Sequence, residues 1–248
     1  MGSCNALIVA RCGAKTGDGP PEKPRLKTVL ITGANRGIGL ALARHYTDRG
    51  DTVVAVCRQA SDALRATGAR VEAGVDVTDD AALADLAARL GDIRIDVLVL
   101  NAGILGNEAF GSLDASAFDS MRRQFEVNAL GPLRVAQALQ GRLAEGAKVG
   151  IVTSRMGSVA DNGSGGYYGY RASKAAVNAI GKSLANDLRP RGIAVFLLHP
   201  GYVATDMVGG TGDVSPAESA AQLVERLDGL GLADSGSFWH ANGTPLPW

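Results

Sequence analysis

From Lys27 onward the chain repeats one pattern: a short, almost continuously apolar run, then a stretch rich in Ala and Leu at helical spacing. The runs are Thr28–Thr32, Thr52–Val56, Arg70–Val75, Ile95–Leu100, Lys148–Thr153 and Ile193–Leu198. Several lack the polar–apolar alternation of a strand with one wet face, so they predict strands covered on both faces. Between them, Ala81–Leu90 places Leu83, Leu86, Ala87 and Leu90 on one helical face. Residues 127–143 bring Leu130, Leu133, Ala136, Leu139 and Leu143 close to the same spacing, and residues 171–188 align Val177, Ile180, Leu184 and Leu188. Arg189-Pro190 followed by Gly192 fits a helix stop. Strands alternating with helices predict βαβ units, and right-handed crossovers wind these into an α/β fold with a doubly wound parallel sheet and helices on both faces. No repeat or linker interrupts residues 27–248, so one domain is expected. At 248 residues and 46% hydrophobic composition it has a core large enough to need no disulfides.

Residues 1–26 differ. Gly17-Asp18-Gly19-Pro20-Pro21 and Pro24 break helix and strand alike, which predicts a loose, dispensable N-terminal extension. The apolar run Ala6 to Ala10 is too short for a signal peptide and has no basic residue ahead of it, and no segment suits a bilayer span. Lys and Arg number 25, as do Asp and Glu, so no general attraction to nucleic acid or acidic membrane is expected. Cys4, Cys12 and Cys57 suit free thiols in a reducing compartment. The cytoplasm is the expected location. No cluster of His, Cys and carboxylates points to a metal.

The first apolar run leads directly into Thr32-Gly33-Ala34-Asn35-Arg36-Gly37-Ile38-Gly39, with a helix following over Leu40 to Arg49. Glycines after a strand and before a helix let backbone approach a pyrophosphate, and the new helix offers unpaired N–H groups to the anion. This is the setting of a Rossmann-type dinucleotide fold. The second strand ends in Cys57-Arg58 with no acid to take a free ribose. Arg58 and Arg36 then favour the 2′-phosphate of NADP, unless both are simply solvated. Asp76, next to Val77 after the third strand, suits an adenine amino group, while Thr78 or Asp79 suits a helix N-cap. Asn101-Ala102-Gly103 ends the fourth strand with small residues that would wall a flat cofactor.

Tyr170 and Lys174 are four apart at the start of the helix over 171–188 and share a face. A nearby ammonium favours phenolate, so the pair can exchange a proton with an alcohol oxygen. Tyr167 and Arg171 are also four apart, but Tyr167 precedes Gly169, outside the expected helix, which favours Tyr170. Ser154, at the end of the fifth strand, reads either as a turn serine or as a hydroxyl polarising a carbonyl oxygen. Asn128 reads as an N-cap opening its helix, or as a holder of a water beside Lys174.

Together these residues resemble the short-chain dehydrogenase/reductase family over about residues 27 to 240. Gly33-x-x-x-Gly37-x-Gly39, Asp76, Asn101-Ala102-Gly103, Asn128, Ser154, Tyr170-x-x-x-Lys174 and Pro200-Gly201 stand in the family's order. The resemblance implies a catalytic tetrad of Asn128, Ser154, Tyr170 and Lys174. It also implies that Lys174 holds the nicotinamide ribose, and that Thr205, after Pro200-Gly201-Tyr202-Val203-Ala204, contacts the nicotinamide amide. The segment around Ser154, the run Gly165 to Arg171 and the tail Phe238 to Trp248 look like the sniffer and C-factor-like carbonyl reductases. That branch implies NADP(H), a small-molecule carbonyl or alcohol substrate, and either a monomer or a homo-oligomer paired through the two long helices. Two departures stand out. Leu100 replaces the first Asn of the usual Asn-Asn-Ala-Gly, and the Asp161 to Gly166 stretch lengthens the approach to Tyr170 beside the substrate mouth. The short, glycine-rich segment Met207 to Asp213 stands where the family carries a lid. Other readings on this scaffold are a dinucleotide-binding regulatory protein with incidental turnover, and an isomerase or dehydratase.

Overall fold

The structure, a computed structural model, describes residues 26–248. The loose extension expected over residues 1–26 therefore lies, except for Leu26, outside the described residues. Seven parallel strands run β1 (Thr28–Thr32), β2 (Thr52–Val56), β3 (Arg70–Glu72), β4 (Ile95–Leu100), β5 (Leu143–Val152), β6 (Ala194–His199) and β7 (Ser237–His240). Their order across the sheet is β3-β2-β1-β4-β5-β6-β7, the doubly wound α/β arrangement expected. The order reverses between β1 and β4, which opens a crevice at the strands' C-terminal ends.

The helices are α1 (Gly37–Asp48), α2 (Asp62–Arg65), α3 (Asp80–Arg89), α4 (Ala115–Phe125), α5 (Gly131–Leu139), α6 (Tyr168–Leu188) and α7 (Pro216–Gly229). Two cores explain the continuously apolar strands. Val29 and Ile31 of β1 point toward Leu42 and Tyr46 of α1 and Leu223 and Leu227 of α7. Leu30, between them, joins the opposite core with Leu86, Val135, Leu139 and Val177. Val195, Phe196, Leu197 and Leu198 of β6 are wholly buried, and each such side chain contributes about 1.5–3 kcal/mol of burial.

Several elements differ from the sequence reading; β5, for one, begins at Leu143 rather than at Lys148. β3 stops at Glu72, because Gly74 takes a positive φ of 79° and its N–H turns to the Arg58 carbonyl. The single helix expected over 127–143 is instead a π-helical turn (Glu126–Leu130), α5, a 3₁₀ turn (Gln140–Arg142) and the start of β5. Leu143 keeps its buried place by pairing with Ile95 in the sheet, so its helical spacing was coincidental. α6, the helix expected over 171–188, opens at Tyr168 rather than at residue 171, which puts Tyr170 inside its first turn.

Candidate active site

A cleft of about 2040 Å³ crosses the C-terminal edge of the sheet. Gly33, Asn35, Arg36, Gly37, Ile38, Gly39, Arg58, Asp76, Val77, Asn101, Ala102, Gly103, Ser154, Tyr170, Lys174, Pro200, Gly201, Val203 and Thr205 all line it. Asn128 does not: it is buried behind the wall.

The glycine loop is shaped by its neighbours. Gly33 has φ 67°, and a Cβ there would sit 2.8 Å from the Ala102 Cα, so only glycine fits. Asn101 Nδ2 donates to the carbonyls of Thr32 (3.0 Å) and Gly33 (3.2 Å), holding the loop rather than facing outward. Asn35 is similarly engaged, accepting from the Ser61 backbone N–H at 2.6 Å. Helix α1 then begins with no side-chain cap and no acidic residue in its first turn, which suits a phosphate there.

The two cations expected to favour NADP stand at the cleft but each faces an acid. Arg58 lies 3.9 Å from Asp76, and Arg36 lies 3.2 Å from Asp206, bridging the glycine loop to the segment beyond Thr205. Asp76 also accepts from Thr78 N (3.0 Å) and Oγ1 (2.8 Å). Burial works against its ionisation, but the Thr78 bonds and the Arg58 and Arg123 charges prevail and hold the carboxyl below its usual range. The helix N-cap is Asp79, which accepts from the Ala81 and Ala82 N–H groups. Thr205 rests beside Gly37.

The deep end of the cleft gathers the proposed acid–base group. Ser154 caps the one-turn helix Arg155–Gly157 through a bond from Met156 N (3.1 Å) and lines the cleft with Tyr170. Burial pushes the Tyr170 phenol up, and the neighbouring Ser154 works against this. One turn on, Lys174 is 4% exposed, donates to the Val152 carbonyl at 3.0 Å, and stands 5.7 Å from the Tyr170 ring centre. Burial pulls its ammonium down to about 8. An ammonium has three N–H donors, and Val152 takes one of them, so a partner with hydroxyl oxygens fits beside it. Tyr167 is the helix N-cap in a left-handed conformation (φ 51°), outside the helix as expected.

Asn128 is not an N-cap. It sits inside the π-helical turn, where its Oδ1 accepts from Ile104 N (2.8 Å) and its Nδ2 donates to Ile104 O (2.8 Å) and Ser173 Oγ (3.1 Å). π-Turns are rare and often mark functional sites.

Sequence reasoning missed Glu108. It is 5% exposed and accepts from Gly169 N (3.1 Å), Ser120 Oγ (2.9 Å) and Gln124 Nε2 (2.5 Å), anchoring the start of α6. A lone Glu among small and polar loop residues gives no pattern that would reveal it.

The chain is similar to known proteins in sequence and fold. The profile of the short chain dehydrogenase family matches residues 27–215. The 1-hydroxy-2-glutathionyl-2-methyl-3-butene dehydrogenase of Rhodococcus sp. (strain AD45) is 45% identical over 229 residues, covering 90% of this chain and all of that one. The C-signal protein of Myxococcus xanthus is 46% identical over 157 residues, covering 62% and 93%. Among solved structures, the carbonyl reductase Sniffer of D. melanogaster superposes with a TM-score of 0.81 at 28% identity, and the NADPH-bound carbonyl reductase from chicken fatty liver with 0.81 at 30%. Each covers 90% of this chain and all of its own.

Proposed function

The chain belongs to the short-chain dehydrogenase/reductase family, and from that premise we propose that it is an NADP(H)-dependent oxidoreductase acting between carbonyl and alcohol. The observation that carries the reading is that Ser154, Tyr170 and Lys174 line one cleft, with the Lys174 ammonium 5.7 Å from the Tyr170 ring centre. The cofactor assignment is supported by the NADPH-bound neighbour and by Arg36 and Arg58 at the cleft's edge.

In this reading the loop from Gly33 through Asn35, Arg36, Gly37, Ile38 and Gly39 and the start of α1 hold the pyrophosphate. Arg58 and Arg36 take the 2′-phosphate, exchanging their carboxylate neighbours for it. Asp76 and Val77 meet the adenine, and Asn101, Ala102 and Gly103 form the wall. Tyr170 and Lys174 face the nicotinamide ribose, while Pro200, Gly201, Val203 and Thr205 border the nicotinamide amide. When bound, the nicotinamide supplies or accepts the hydride.

The protein's own share is orientation and a proton. Burial keeps the Tyr170 phenol protonated at neutral pH, so it is loaded to donate when a carbonyl is reduced. The Ser154 hydroxyl holds the same oxygen. Lys174 and a water held beside Asn128 relay a proton from solvent back to Tyr170. For substrate we propose an alcohol or carbonyl borne on a small organic conjugate, as in the name of the Rhodococcus relative.

Nicotinamide absorbance across a panel of aldehydes, ketones and alcohols tests the activity. Tyr170→Phe keeps ring and helix, and is expected to lose about 10²–10⁴ in turnover while still binding NADPH by fluorescence. Tyr167→Phe is expected to stay within a few-fold. Reversed results would move the proton donor to Tyr167.

A further inference from the structure

The arginines lining the cleft are Arg36, Arg58, Arg123, Arg155 and Arg171. Arg36 has Asp206, Arg58 has Asp76, and Arg155 has Asp161 at 2.8 Å. Arg123 adds its charge to the surroundings of Asp76. Arg171 differs from all of these. Its Nη2 donates to Ser164 Oγ at 2.8 Å and its Nε to the Gly165 carbonyl at 3.3 Å, and both partners are neutral. No carboxylate pairs with it among the described residues.

Its position adds to this. Arg171 directly follows Tyr170 in the first turn of α6, at the positive end of a 21-residue helix. That turn holds no acidic residue, and Tyr167 provides no side-chain cap. The nearby carboxylate, Glu108, is buried and engaged by Gly169 N, Ser120 and Gln124, so it does not neutralise the mouth. The loop that carries Ser164 and Gly165 holds the guanidinium at the rim without discharging it. A planar guanidinium so held is suited to a carboxylate, which it can grip through paired N–H donors.

We propose that Arg171 docks a carboxylate of the substrate, so that the enzyme takes carbonyls or alcohols carried on an anionic body. The proposal rests on the oxidoreductase reading above and names the substrate class of that same site. The reacting carbon sits at Tyr170 and Ser154, the apolar body lies along Met156 and Tyr167, and the carboxylate reaches the rim.

The test uses straight-chain ω-oxo carboxylates of increasing length and their methyl esters, with NADPH and the full-length protein. At the length that spans from Tyr170 to Arg171, kcat/KM for the acid is expected to exceed that for the ester by about tenfold or more, mainly through KM. That preference should shrink as salt is raised. Arg171→Gln should abolish the acid-over-ester preference and Arg171→Lys should keep part of it. Arg122→Gln, in an exposed pair with Asp119 outside the cleft, should leave it intact. Unchanged melting temperature and NADPH quenching in Arg171→Gln would separate the effect from misfolding. Esters reduced as well as acids at every length, or a preference that survives Arg171→Gln, would overturn the proposal and leave the oxidoreductase reading standing. Turnover of neither series, nor of any other carbonyl, would overturn both.

Discussion

Lys174 donates a hydrogen bond from its ammonium to the Val152 carbonyl at 3.0 Å, tying α6 to the end of β5 from a buried position on the cleft wall. Burial alone pulls its pKa from 10.5 to about 8, which corresponds to a cost of about 3 kcal/mol for holding the charged form in the folded chain. The sign follows from proton uptake. Between about pH 8 and 10.5 the unfolded chain binds the extra proton, so stability rises with pH across that window and the cost is fully present below it. Lys174→Met should therefore melt higher than the parent at pH 7, less whatever is lost by leaving the Val152 carbonyl unpaired. The gain should shrink as pH rises toward 10.5, and carbonyl reduction should collapse at every pH. Thermal unfolding without cofactor, scanned over pH, checks this; a lower melting temperature throughout would show that the bond outweighs the charge burial.

Arg58 and Asp76 stand 3.9 Å apart, both well exposed. An ion pair this open is worth about 0–1 kcal/mol, whereas a guanidinium–phosphate bond is worth about 1.5–3 kcal/mol. The phosphate should win, so the parent should prefer NADPH to NADH. Arg58→Asp should weaken NADPH by about tenfold to a hundredfold on those energies and leave NADH nearly unchanged. Equal affinity of the parent for both cofactors, by fluorescence titration, would remove the basis for this assignment.

The strand–glycine–helix junction was legible because three independent signals coincide there: an apolar run, glycines and a following helical pattern. The alternation of strands and helices was legible for the same reason. β7 was not, since four residues containing Trp and His at the sheet's edge carry no run. Helix α4 was missed although Phe118, Met121 and Phe125 stand at helical spacing in it; that stripe is short, and Gln124 is the one residue of the helix that is buried. The capping box of α7, Ser215 with Glu218, was present in the sequence and went unread. At the site, residue identities were readable while pairings were not. Arg36 finds Asp206 from 170 residues away, and Glu108 reaches Gly169 from 61. The π-helical turn around Asn128 looks like ordinary helix in its apolar spacing, because one extra residue per turn shifts the stripe only slightly.

Asn128 closes both backbone hydrogen bonds of Ile104 and a third to Ser173. Asn128→Ala would leave buried polar groups without partners, at about 1–3 kcal/mol for each one stranded. For a chain of this size the melting temperature should fall by roughly 5–10 °C, at about 2–4 °C per kcal/mol. Turnover measured well below the new midpoint should also drop if Asn128 supports the water beside Lys174. Full turnover in a destabilised variant would make the residue purely structural.

Trp248 ties the end of the chain to the loop that holds Arg155 and Arg171 at the cleft. Beyond β7 the backbone doubles back, with His240 N donating to Thr244 O (2.8 Å) and Leu246 N to Phe238 O (2.9 Å). This places the Trp248 ring against Phe238, with centroids 5.5 Å apart and the planes at 28°, and the Trp248 carbonyl on Ala160 N at 3.0 Å. Ala160 precedes Asp161, which holds Arg155, and the loop that continues to Ser164 and Gly165 holds Arg171. An aromatic pair of this kind adds about 0.5–1.5 kcal/mol beyond its buried area, too little to threaten the fold but enough to loosen a loop. Trp248→Ala should therefore raise KM for the carbonyl substrate several-fold while leaving the NADPH dissociation constant unchanged, since the glycine loop and Arg58 lie at the other end of the cleft. Trp248→Phe should recover most of the loss by restoring the stack. Steady-state kinetics beside cofactor titration decide it. A parallel weakening of NADPH, or a KM equal to the parent's, would show that the tail does not govern the substrate mouth.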